Sequence, residues 1–336
     1  MKVAITDYAF DNLELEQAAL APLGCRLESL KAGKDQPLID LVKDADAVIT
    51  QFAPINAAVI GAMQQCRVIV RYGIGVDNVD LQAAAAKDIP VCNVPDYCID
   101  EVADHTLALI LAATRQIVPC DNAIKSGQWK LPVPFAALHA LKNMTVGLVA
   151  FGRIGREVAA RLKPFKCQIL VFDPAVPPAD VRAAGCEPAT LDEVLAQSDL
   201  LSLHCPSTAK TKSMINATTL AQMKRGAILV NASRGTLVDT SAMVAALQSG
   251  QLSAAALDVT DPEPPGAEHP LLKLGNAVIT PHVASVTPQA VKRLRTTAAG
   301  IAAIAAGPSG ATRTRVDKTS RPPAASAMKK RTEAKT

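Results

Sequence analysis

Arg234, Glu263 and His282 are the residues of this chain best placed to do chemistry, because each follows a short apolar run that reads as a buried parallel strand. Ala227–Val230 leads into Asn231-Ala232-Ser233-Arg234-Gly235. Ala254–Val259 leads into Thr260-Asp261-Pro262-Glu263-Pro264, and Ala277–Thr280 into Pro281-His282-Val283-Ala284. In an open α/β sheet, ligands sit at the carboxyl ends of the strands. A cation, an acid and an imidazole presented there can clamp an anion, orient the imidazole and move a proton at neutral pH. The competing reading makes Arg234 and Glu263 a structural ion pair and His282 a strand-end cap.

A second group of residues points to a dinucleotide. Thr145–Ala150 runs as a strand into Phe151-Gly152-Arg153-Ile154-Gly155, where Gly152 and Gly155 fit the second and third glycines of GxGxxG and Ala150 stands in for the first. The second glycine lets the backbone approach a pyrophosphate, the third lets helix and strand pack closely, and the helix start offers free N–H groups. Asp173 ends the next strand, 21 residues after Gly152. An acid there accepts hydrogen bonds from ribose hydroxyls and repels a 2′-phosphate, which favours NAD over NADP.

The elements that must hold these residues form two series. Strands are expected at Val3–Thr6, Arg26–Leu30, Ala47–Thr50, Val68–Tyr72 and Val91–Val94, with helices such as Leu13–Leu23 and Leu81–Lys87 between them. Six more are expected at Thr145–Ala150, Gln168–Phe172, Leu200–His204, Ala227–Asn231, Ala254–Asp258 and Ala277–Thr280. Asp100–Arg115 follows helical spacing, with Asp100 as a candidate N-cap. Pro288–Ala306 is a further helix expected to pack back on the first series. Hydrophobic residues make up 49% of the chain and aromatic residues only 3%, so the cores must be aliphatic. The fold class is α/β, with two doubly wound parallel-sheet domains: residues 1–98 completed by 286–306, and residues 99–285.

The bulk properties exclude several function classes. No stretch approaches 18 consecutive apolar residues, so no membrane span is expected, and the amino terminus lacks a signal-peptide pattern. The eight cysteines show no CxxC or metal-like cluster, which suits a reducing cytoplasm and a protein without a bound metal. The net charge of +4 arises in residues 307–336, where eight Lys or Arg face two acids. That segment reads as a disordered, solvated tail, and no nucleic-acid role is expected of the body.

Taken together, these motifs resemble the D-isomer-specific 2-hydroxyacid dehydrogenases. The likeness covers roughly residues 45–285 and includes Arg71-Tyr72-Gly73-Ile74-Gly75-Val76-Asp77-Asn78-Val79-Asp80 and Asn93-Val94-Pro95-Asp96, besides the glycine loop and the three strand ends. Within the family it is most similar to bacterial relatives of C-terminal-binding protein and phosphoglycerate dehydrogenase. The resemblance implies a flavodoxin-like substrate domain, a Rossmann NAD domain, and an active-site cleft between them. It also implies a homodimer acting on a small 2-hydroxy or 2-oxo acid, with contacts in the Asp100–Ile124 region. His282 would be the acid/base, Glu263 would orient it and favour the imidazolium, and Arg234 would grip the substrate carboxylate. The N–H groups of Gly73 and Ile74 would hold the other carboxylate oxygen. Gly152, Arg153, Ile154, Asp173, Cys205, Pro206, Ser233, Asp258 and Thr106 would contact the cofactor.

Three features qualify this picture. Gln51-Phe52-Ala53-Pro54 carries no basic side chain where phosphate-selecting relatives often have one, which argues against a phosphorylated substrate. His105 and His139 are expected on helix surfaces or in interdomain packing, and His204 ends a strand with no evident chemical partner. Finally, the subgroup likeness and the basic tail leave a second class open, an NAD(H)-sensing scaffold in which turnover is incidental.

Overall fold

The computed structural model describes residues 1–30 and 35–306. The basic tail expected at 307–336 lies outside the described residues. The chain divides into two compact units, one comprising Met1–Tyr97 with the described chain from Val291, the other Cys98–Ala290.

In the first unit the elements run β1 (Lys2–Ile5), α1 (Glu14–Leu20), β2 (Arg26–Ser29), α2 (Asp35–Val42), β3 (Ala47–Thr50), α3 (Ala57–Ala62), β4 (Ile69–Arg71), α4 (Leu81–Ala86) and β5 (Val91–Cys92). All pairings are parallel, in the order β2-β1-β3-β4-β5. This is the flavodoxin-like order expected of the substrate domain. Helices cover both faces, so β3 is buried along its whole length. Short polar caps start the helices: Asn56 accepts from Val59 N–H and Asp80 from Gln82 and Ala83 N–H.

The last helix of the chain (Pro288–Ala306) adds Ala298, Ala299 and Ala302, fully buried, to this unit. Small side chains let its backbone come close. It also brings Arg295, whose guanidinium donates to both Glu16 oxygens at 2.8 and 2.6 Å and stacks on Phe10. Glu16 is fully buried and takes a third bond from Tyr72 Oη at 2.9 Å. An ionised acid survives there because a cation and a hydroxyl replace its water.

The second unit runs α5 (Ile99–Thr114), α6 (Ile117–Lys125), β6 (Thr145–Val149), α7 (Arg153–Leu162), β7 (Gln168–Phe172), α8 (Pro178–Ala183), β8 (Glu187–Pro188), α9 (Leu191–Gln197), β9 (Leu200–Leu203), α10 (Ala217–Gln222), β10 (Ala227–Asn231), α11 (Thr240–Ser249), β11 (Leu252–Leu257) and β12 (Ala277–Ile279); the Pro288–Ala306 helix is α12. Its parallel sheet has the order β12-β11-β10-β9-β6-β7-β8. The seventh strand, β8, was not expected: it has only two residues, one of them a proline, and periodicity cannot show it. A proline is tolerated there because β8 is an edge strand. Two aliphatic cores cover the sheet, one beneath α5 and α7, the other beneath α9, α10 and α11.

The expected N-cap of the long helix that opens this unit is corrected. α5 starts at Ile99 with Cys98 in the cap position, so Asp100 lies in its first turn. Asp100, with Asp104 one turn on, pairs with Arg161 of α7, at 2.7 and 2.6 Å. Gln116 then adopts a left-handed φ of 52°, which ends α5 and starts α6.

Candidate functional site

β10, β11 and β12 are adjacent and parallel, so the segments after them emerge side by side at one edge of the sheet. Those segments carry Arg234, Glu263 and His282. His282 Nδ1 lies 2.6 Å from Glu263 Oε1. Burial pushes the Glu263 carboxyl up, but the His282 hydrogen bond and charge, aided by Arg234, outweigh it and hold it below the usual carboxylate range. Gly235 explains how Arg234 comes near. A Cβ there would lie 1.9 Å from Thr260 O, so the loops after β10 and β11 touch backbone to backbone.

His282 has a left-handed φ of 54°, uncommon for a residue with a Cβ. Asp258 holds it there. Its backbone carbonyl accepts the His282 N–H at 2.8 Å, and its carboxylate accepts Val283 and Ala284 N–H, both at 2.9 Å. Thr280 Oγ1 donates to the same carboxylate at 2.6 Å, and His105 Nε2 lies 3.0 Å from that hydroxyl. Asp258, expected to contact the cofactor, is thus 1% exposed and spends its carboxylate on the turn that presents His282.

The glycine loop lies where β6 borders both β9 and β7, the point at which strand order reverses and ligands bind in such sheets. Ala150 has a φ of 78°, a left-handed conformation that glycine adopts without penalty. The loop tolerates the methyl because it is pinned on both sides. Ala150 N–H donates to Phe172 O at 2.7 Å and Phe151 N–H to Asp173 Oδ2 at 2.7 Å. Gly152 caps α7 without a side-chain bond, and a Cβ on it would meet nothing within 4 Å. The protein itself does not demand a glycine there, whereas close approach of a pyrophosphate to the α7 N-terminus does. Arg153 is exposed beside it. The loop, the bare helix end and the Asp173 carboxylate fit a dinucleotide.

Residues 107–284 match the family model described as D-isomer specific 2-hydroxyacid dehydrogenase, NAD binding domain. The chain belongs to this family. NAD is accordingly the cofactor of the Cys98–Ala290 unit. A D-3-phosphoglycerate dehydrogenase of Mycobacterium leprae is 39% identical over 286 residues, 84% of this chain and 54% of the relative. The chain therefore spans about half the length of that protein. A glyoxylate reductase of Korarchaeum cryptofilum is 39% identical over 76% of this chain and 78% of the relative. Among solved structures, a D-lactate dehydrogenase from Aquifex aeolicus, complexed with NAD and lactic acid, is 28% identical with a TM-score of 0.82, covering 90% of this chain and 94% of that one.

The remaining residues expected to contact the cofactor or the substrate have varied surroundings. Ile154 packs against the core under α7. Ser233 Oγ ties its loop to Leu203 O at 2.7 Å. Thr106 is fully buried, with its hydroxyl on Val102 O at 2.8 Å. Burial pushes the Cys205 thiol up to about 11, so it is a neutral packing group, and Pro206 O accepts from Thr211 Oγ1. In the first unit Gly73 N–H donates to Arg71 O at 2.9 Å in a tight turn, while Asn93 binds Ile74 O at 2.6 Å.

Two residues given no role in the sequence acquire surroundings here. His204 directly follows β9 beside Gly155, and its Nε2 is sealed from solvent without a hydrogen-bond partner. Burial pushes it down to about 4, so it is neutral at physiological pH. Arg71, at the end of β4, lies over the Phe52 ring at 6.0 Å, and its guanidinium fills the space a Cβ on Gly73 would take. A cation thus stands beside the Gln51–Pro54 stretch, brought by the neighbouring strand. No window along the sequence shows that.

Among the described residues no helix is long and apolar enough to cross a membrane, and no group of three or more His, Cys, Asp or Glu could hold a metal ion.

Proposed function

We propose that this chain is an NAD-dependent D-2-hydroxyacid dehydrogenase that interconverts a small 2-oxo acid and its 2-hydroxy acid. The observation that carries the reading is the His282–Glu263 pair at 2.6 Å, presented beside Arg234 at the strand ends of an NAD-binding unit. When bound, NADH would supply the hydride that the carbonyl carbon takes up. His282 delivers the proton to the carbonyl oxygen from Nε2, because Nδ1–H is committed to Glu263. The Glu263 carboxylate fixes that tautomer and orientation and stabilises the imidazolium. Arg234 holds the substrate carboxylate and the oxygen on which charge develops, a task suited to a planar guanidinium. We assign the other carboxylate oxygen to the loop of Gly73 and Ile74, and the ribose hydroxyls to Asp173.

Two substrate readings follow. The match to the glyoxylate reductase of K. cryptofilum, which spans 78% of that protein, supports a short unsubstituted 2-oxo acid. Arg71 supports one with a second anionic group, such as the phosphorylated acid named for the M. leprae relative. NADH oxidation across 2-oxo acids with and without a phosphate separates them. Turnover of none, with NADH bound, would favour the sensing scaffold. We place the enzyme in the cytoplasm and expect a homodimer, since Trp129 and Phe135 after α6 are 91% and 86% exposed. Light scattering of the purified chain tests the dimer.

The test of mechanism is His282→Ala. Turnover of oxo-acid reduction should fall about 10²–10⁴-fold, the usual contribution of a positioned general acid. NADH binding should persist, because the glycine loop and Asp173 lie on other strands. Near-normal turnover would overturn the assignment.

A further inference from the structure

His105 is remote in sequence from Arg234, Glu263 and His282, and lies on a helix whose Ala103, Leu109 and Ile110 face the aliphatic core. Its Nε2 nevertheless lies 3.0 Å from Thr280 Oγ1 and 3.5 Å from Asp258 Oδ1. The Thr280 hydroxyl has one proton to give. Its shortest contact is the 2.6 Å bond to Asp258 Oδ1, while Leu257 O stands 3.4 Å away as the alternative acceptor. The Asp258 carboxylate also takes two peptide N–H groups, which it does best when ionised. Thr280 therefore donates to Asp258 and must accept from His105, which places a proton on His105 Nε2.

Three successive peptide N–H groups, those of His282, Val283 and Ala284, converge on Asp258. That convergence holds His282 in its left-handed conformation and so aims its ring. We propose that His105 is a positioning residue for His282, acting through the Thr280 hydroxyl and the Asp258 carboxylate. The proposal rests on the reading of His282 as the proton donor. Without the His105 N–H, the Thr280 hydroxyl is free to turn towards Leu257 O, and Asp258 loses one of the bonds that fix its carboxylate. The turn bearing His282 then has more than one arrangement, and the proton is less often in line.

The experiment measures kcat, KM for the 2-oxo acid and the Kd for NADH in the full chain. His105→Leu should lower kcat about 10–100-fold, the scale of a misplaced reacting group, with NADH Kd changed less than about threefold. His105→Gln, whose side-chain N–H can reach the same hydroxyl, should recover kcat to within about fivefold of the parent. Thr280→Val should reproduce the loss, and the double variant with His105→Leu should lose little more, because both break one chain of contacts. If His105→Leu is too unstable to assay, Thr280→Val against Thr280→Ser carries the same comparison. Parental kcat in His105→Leu or Thr280→Val, or additive losses in the double variant, would overturn the proposal. Loss of turnover in His282→Ala alongside parental kcat in His105→Leu would leave the catalytic reading standing and remove only the role of His105. Near-normal turnover in His282→Ala would remove the reading itself.

Discussion

Gly155→Ala sets two effects of opposite sign against each other in one measurement. Gly155 lies in the first turn of α7, where alanine is ordinarily favoured over glycine by about 1 kcal/mol. Helix propensity alone would therefore raise stability. A Cβ at this position, however, would stand 2.5 Å from the carbonyl oxygen of Ala150 and 3.3 Å from its carbon. Relief requires the loop or the helix to retreat. The loop cannot yield cheaply, since Phe172 O and the Asp173 carboxylate hold it from either side and Ala150 is already left-handed. The helix must move instead, and its other face is packed against α5. Overpacking of this kind costs about 1–3 kcal/mol, and breaking the loop's bonds adds about 1 more, which exceeds the propensity gain. The net loss of about 1–3 kcal/mol corresponds to a Tm lower by roughly 3–10 °C for a domain of this size. NADH affinity should fall at least about tenfold, since the displaced backbone is the one that approaches the pyrophosphate. Calorimetry of the apo protein and fluorescence titration with NADH read both quantities. An unchanged or raised Tm would refute the reasoning, because it would mean that the loop accommodates the methyl.

Asp173→Ala removes the expected ribose acceptor and the anchor of Phe151 N–H together. NADH Kd should rise about tenfold while that for NADPH changes less, narrowing a preference that the parent should show clearly in paired titrations. Equal use of both cofactors by the parent would count against the assignment. His204 predicts an acid-limb effect. Its folded pKa, about 4, lies below the ordinary value of 6.5, so its contribution to stability is complete above the ordinary value and lost as pH falls towards 4. His204→Leu should therefore lose about 1–2 kcal/mol less stability than the parent between pH 8 and pH 5, checked by denaturant melts across that range. Identical pH dependence in the two proteins would show that His204 is hydrated.

The strands were the most legible part of the chain. Ala47–Thr50, Gln168–Phe172 and Ala227–Asn231 are β3, β7 and β10 with the same bounds, because continuous apolar runs between turn residues have one reading in a parallel sheet. The three strand ends could be read for the same reason, as each motif directly follows such a run. What escaped was set by backbone geometry or by neighbours distant in sequence. The role of Asp258 depends on peptide N–H groups, which every residue has and no side-chain pattern marks. His105 was assigned to a helix surface or interdomain packing, since periodicity places a residue on a face but not opposite a particular hydroxyl. Gln51–Pro54 holds no cation of its own, and Arg71 reaches the Phe52 ring from the next strand. Ala150 was noted as a departure, yet only its φ shows that it occupies a glycine's conformation.

The pairing of Glu16 with Arg295 joins residues 279 positions apart, and this bears on how the chain is born. A ribosome releases the first five strands early, but the cation that neutralises buried Glu16 is still unmade. At about 5–20 residues per second, the interval between residue 97 and residue 295 lasts about 10–40 s. Closing that first unit without Arg295 would bury an uncompensated charge, at a cost of about 3–5 kcal/mol. The nascent amino-terminal segment must therefore wait, open to chaperones and proteases. The NAD-binding unit, contiguous from Cys98 to Ala290, is complete before it. Vectorial synthesis thus delivers the middle of this protein first and its beginning last.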